Sequence, residues 1–153
     1  MMTRQMVLRS TVAAGLLALG LAGCANMRSS SSQKADTYHA TLSGSQEVPA
    51  NPSPGQGMAD VQLNTSTNTV SWKVTYSGLS GPVVAGHIHG PAAPGQNAGV
   101  MVPFTGNLNA QPIQGQAQIT PAQAAELAAG RLYVNLHTAG SPGGEIRGQL
   151  QRR

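Results

Sequence analysis

The chain has 153 residues, only 9% of them charged, with 19 glycines, 10 prolines, one tryptophan and one phenylalanine. That length suits a single domain, and few charges among many glycines and prolines mark a turn-rich β domain where apolar alternation is regular. The formal charge of +4 includes Arg4 and Arg9 of a removable leader; from Cys24 onward seven Lys/Arg face five Asp/Glu without a basic stripe, which excludes nucleic acid as a partner.

Arg4 and Arg9 precede an apolar stretch, Val12 to Leu21, that is too short to span a bilayer. It ends in Leu21-Ala22-Gly23-Cys24, which resembles the cleavage box of bacterial lipoproteins. The resemblance implies a signal peptide over residues 1–23 and a lipidated Cys24 as the first mature residue. Cys24 is the only cysteine, so acylation leaves no thiol for disulfide, metal or nucleophile chemistry. Multiple acyl chains anchor stably where one is marginal. Ala25 follows, not the aspartate that marks inner-membrane retention in many enteric lipoproteins. The expected location is therefore the bacterial cell envelope, lipid-anchored in the outer membrane and facing the periplasm. Residues 24–37, with Ser29 to Ser32, read as a flexible tether reaching roughly 20 Å, and the folded domain is expected over 38–153.

Within it, Tyr38, Ala40 and Leu42 alternate as one face of a half-buried strand. The prolines at 49, 52 and 54 make Val48 to Gly57 a loop. Met58 to Leu63 and Thr69 to Tyr76 form an antiparallel pair, the second with Val70, Trp72, Val74 and Tyr76 on one face. Strands are expected over Val83 to His89, Val100 to Phe104, Gln114 to Ile119, Leu132 to His137 and Glu145 to Leu150. Thr120 caps one short helix, Pro121 occupies its first position and Gly130 stops it. These elements predict an all-β fold, an antiparallel Greek-key-like β-sandwich of about eight strands with one short helix.

His87 and His89 sit two apart in a strand, on one face with Cα atoms roughly 6.6 Å apart. With Ile88 in the core they take the polar face. By the same parity Leu132, Val134 and Leu136 face the core, while Tyr133, Asn135 and His137 oppose it. A hairpin between the last two strands sets Asn135 across from Arg147 and His137 across from Glu145, close enough to interact. Glu145 then orients His137, as carboxylates orient metal-binding histidines. His87, His89 and His137 are the candidate ligands of one copper or zinc ion, with Glu145, Arg147 and Asn135 as surrounding or anion-facing residues. The alternative is structural: His87 and His89 stiffen the Gly90-Pro91 turn, and Glu145 satisfies His137. His39 is expected to be solvated on an edge strand. Neither a nucleophile elbow nor a phosphate-binding glycine loop is present.

Five blocks carry a resemblance to the CHRD domain, named for its occurrence in chordin: Leu42 to Pro49, Ser77-Gly78-Leu79, Gly86 to Ala92, Gly130 to Thr138 and Pro142 to Leu150. They cover Tyr38 to Leu150. The resemblance implies a secreted domain without established catalytic residues; in chordin such domains belong to a protein that binds secreted growth factors. A weaker resemblance links His87, His89, His137 and Arg147, in order, to the copper ligands and arginine of the copper/zinc superoxide dismutase sandwich. The bridging histidine, zinc-ligand cluster and disulfide of that family have no counterparts here. The leading expectation is thus a lipid-anchored binding or structural module with an unidentified protein or small-molecule partner. The other is a copper-dependent dismutase-like enzyme in which Arg147 steers the anion.

Overall fold

The computed structural model describes residues 35–153. The signal peptide, Cys24 and residues 24–34 of the tether lie outside the described residues. Strand β1 (Ala35–Ser43) starts before the expected domain boundary, because Ala35, Asp36 and Thr37 pair with Asn64, Leu63 and Gln62 of β2 (Gln56–Asn64). β2 turns into β3 (Thr69–Ser77). In that turn Asn64 Oδ1 accepts the Ser66 and Thr67 N–H groups at 3.0 and 3.2 Å. Then follow β4 (Val83–His89), β5 (Val100–Pro103) and β6 (Ile113–Gln118). Helix α1 (Pro121–Ala128), β7 (Tyr133–Thr138), β8 (Ser141–Gln149) and the two-residue β9 (Gln151–Arg152) complete the chain.

The helix has the expected ends. Thr120 Oγ1 accepts the Gln123 N–H at 3.2 Å, and Gln123 Oε1 accepts the Thr120 N–H at 2.8 Å, a reciprocal cap. Its Leu127 is buried against the sheets, which such a short helix needs to stay folded.

The main strands form one antiparallel path, β5-β4-β7-β8-β1-β2-β3-β6, with β9 beside β1. β1 is therefore interior rather than an edge, and His39 is not simply solvated: its Nδ1 lies 3.0 Å from Asp60 on β2. Alternate residues of each strand (Tyr38, Ala40 and Leu42; Ala59, Val61 and Leu63; Val70, Trp72 and Val74) point into one core. Each fully buried large aliphatic side chain there contributes about 1.5–3 kcal/mol relative to exposure. The sheet curls until its far ends meet: Trp72 of β3 stacks on Phe104, just beyond β5, with ring centroids 4.7 Å apart. The result is the expected antiparallel sandwich, nearly closed into a barrel.

Candidate metal centre

Strands β4 and β7 lie side by side, with His87 opposite Asn135, His89 opposite Tyr133 and Ala85 opposite His137. Ile88, Val134 and Leu136 fill the core, so the three histidines emerge on the other face, with His137 diagonal to His87. Diagonal neighbours stay within reach of long side chains. One ligand nitrogen from each of His87, His89 and His137 lies within 4.8 Å of the other two.

The hydrogen bonds fix two of these nitrogens, those of His89 and His137. His137 Nδ1 lies 3.0 Å from the Pro142 carbonyl, and His89 Nδ1 lies 3.0 Å from the Ala98 carbonyl. A carbonyl only accepts, so both rings carry their proton on Nδ1 and keep a lone pair on Nε2. This backbone support is how metal-binding histidines are commonly oriented. His137 Nε2 lies 3.0 Å from His87 Nδ1, and His89 Nε2 is buried with no hydrogen-bond partner. Nitrogens about 2.0 Å from a tetrahedral metal are about 3.3 Å apart; the His87–His137 pair is already at 3.0 Å, and closing the trio on one ion would replace the proton they share.

Burial lowers the pKa of all three rings. His87 is pushed down to about 4, by burial first and then by the neighbouring His137 and His89. Burial lowers His89 against its bond to Ala98, and lowers His137 against its bond to Pro142. The three are therefore neutral at neutral pH, the form that binds metal.

The other expected site residues are placed differently. The β7–β8 register runs as anticipated through Asn135–Arg147 and Leu136–Ile146, then shifts so that Thr138 pairs with Ser141. Glu145 consequently does not orient His137. Its carboxylate accepts hydrogen bonds from Ser53 Oγ at 2.8 Å, the Ser80 N–H at 2.7 Å, Ser80 Oγ at 2.7 Å and Thr138 Oγ1. Burial pushes its pKa up, but these bonds from Thr138, Ser80 and Ser53 together outweigh it and hold it below the usual range.

Arg147 does not face an open anion path. It is 2% exposed, its guanidinium carbon sits 3.5 Å above the centre of the Tyr133 ring, and Tyr133 in turn stacks on His89 at 4.9 Å. Asn135 donates to Glu47 Oε2 at 3.3 Å. Burial raises the Glu47 pKa to about 7, although the Arg147 charge and the Asn135 bond pull it back.

Three contributors escaped the sequence reading. Glu47 lies in a proline-flanked segment with no periodic signal. Tyr133 lies on the face its parity predicts, but its stacking depends on His89 of β4 and Arg147 of β8. The Ala98 carbonyl is backbone, and no side-chain pattern reports it. The Gly90–Gly99 loop that carries it folds over the β4-β7-β8 face and starts at a residue only glycine satisfies. Gly90 has φ +154, and a Cβ there would lie 2.2 Å from Leu132 Cδ2.

The fold and site define a class: an antiparallel β-sandwich with a histidine trio roofed by a loop on one face. The CHRD domain model matches residues 38–150, and the chain belongs to the CHRD domain family. No curated protein and no solved structure matches it significantly.

Proposed function

We propose that this CHRD-domain chain is a cell-envelope binding module that holds one copper or zinc ion on His87, His89 and His137. The carrying observation is the gathering of three ligand nitrogens within 4.8 Å, two of them on rings pinned by backbone carbonyls. A buried, unpartnered imidazole nitrogen such as His89 Nε2 is costly unless something occupies its lone pair. Copper(II) is the tighter binder of the two metals on intrinsic affinity. When bound, the ion would supply a Lewis-acid position for a fourth ligand. The chain supplies neutral imidazoles and a loop whose Ala98 carbonyl orients His89.

Anchoring through an acylated Cys24 belongs to the same proposal, supported by the Leu21-Ala22-Gly23-Cys24 box and the absence of any other cysteine. Outer-membrane placement facing the periplasm is supported by Ala25, rather than aspartate, after Cys24, and an unidentified protein or small-molecule partner completes the reading. The dismutase-like alternative gains nothing from Arg147, which is spent on Tyr133 and the roofing loop.

The test is titration of the purified protein with Cu(II) and Zn(II), followed by calorimetry and elemental analysis. One equivalent is expected, with loss of binding in His87→Ala and His89→Ala. Absence of saturable uptake rejects the metal site. Metabolic labelling with a fatty acid, abolished in Cys24→Ala, checks the anchor separately.

A further inference from the structure

We infer that Arg147 is a positioning residue for His89, acting through the Gly90–Gly99 loop; this rests on the metal-binding reading above. Arg147 is 2% exposed and, among the described residues, makes no ion pair. Guanidinium stays charged in proteins, and the carboxylate that feels its charge, Glu47, makes no direct ion pair with it. What it holds is one loop. Its Nη1 donates to Asn97 Oδ1 at 2.9 Å and its Nη2 to the Gln96 carbonyl at 2.6 Å.

The next residue is Ala98. Its carbonyl accepts His89 Nδ1–H at 3.0 Å, and its N–H donates to the Tyr133 hydroxyl at 3.1 Å. The same hydroxyl lies 3.3 Å from the Ala98 carbonyl, and Tyr133 carries Arg147 on its ring. Residues 96, 97 and 98 are thus pinned in succession by a single buried layer. The pinned Ala98 carbonyl, with Gly99 next to it, fixes the His89 proton on Nδ1, which leaves Nε2 as the ligand atom. An arginine that guided anions would present its guanidinium to solvent; this one presents it to a loop.

His137 provides an internal control, because its Nδ1 is held by Pro142 on a different loop. Nitrogen NMR of the metal-free full chain reads the tautomer of each ring. In the unmodified protein His89 is expected as one Nδ1–H tautomer. Arg147→Gln should mix tautomers at His89 while leaving His137 unchanged, and should weaken Zn(II) binding about 10–100-fold. Asn97→Ala, at an exposed position, removes one of the two Arg147 bonds and should move both readouts in the same direction by less. A folded Arg147→Gln with unchanged His89 signals and Zn(II) affinity overturns the inference. If Arg147→Gln does not fold, unchanged His89 signals in Asn97→Ala overturn it. Failure of the unmodified protein to take up Zn(II) sinks the metal reading instead, while the His89 tautomer comparison still decides the role of Arg147.

Discussion

His87, His89 and His137 share a burden: each is a base placed where its protonated form is disfavoured. Their folded pKa values lie below the 6.5 of the unfolded chain, so the stability they contribute is fully present above pH 6.5 and is lost as pH falls toward the folded values, about 4 for His87. Glu47 has the opposite sign. Its pKa is raised from 4.5 to about 7, so its stabilisation is complete below 4.5 and is lost as pH rises through 7. Glu47→Gln mimics the protonated acid. It should be more stable than the parent at about pH 8, with the advantage shrinking toward pH 5, as read from urea midpoints. In that background the metal-free protein should lose stability from about pH 7 to pH 5, which isolates the histidines. Removal of any one histidine should weaken metal binding by more than the roughly 10–100-fold that loss of a supporting group costs.

Strands and loops are held by a few contacts whose loss has a defined size. Phe104 lies just past β5 and meets Trp72 of β3 across the sandwich. Phe104→Ala should cost about 3–5 kcal/mol in urea unfolding and leave the histidine face in place. Thr120→Ala removes the helix cap and should cost about 1 kcal/mol, with no effect on metal binding because α1 contributes no site residue. Gly90→Ala is the opposite case. A Cβ would meet Leu132 and the Arg131 carbonyl, so the loop must move and take Ala98 with it. It should reduce metal affinity out of proportion to its effect on the unfolding midpoint.

At the scale of the whole molecule, the sandwich could be read from alternation alone: Val70, Trp72 and Val74 face the core as the period-2 pattern required. The face of each histidine was equally legible, since Ile88, Val134 and Leu136 fix it, but the β4–β7 pairing that brings His137 to His87 has no local signal in the sequence. What failed was the surroundings. A register shift after Leu136 moved Glu145 to the serines of two other loops, and parity carries no information across such an irregularity. The interior place of β1 depends on pairing with β8, a contact over a hundred residues away in sequence that no local pattern encodes. Arg147 looked like a surface cation because nothing in the sequence says that the Gly90–Gly99 loop folds back over it. Metal should also stabilise the whole fold, by about 2.7 kcal/mol at a free concentration of about 100 times Kd. The most direct test is competition titration of the purified full chain with Cu(II) and Zn(II) against a chromophoric chelator. The account predicts one saturable equivalent that disappears in His87→Ala, His89→Ala and His137→Ala alike. Uptake that is absent, or that survives all three substitutions, would contradict it.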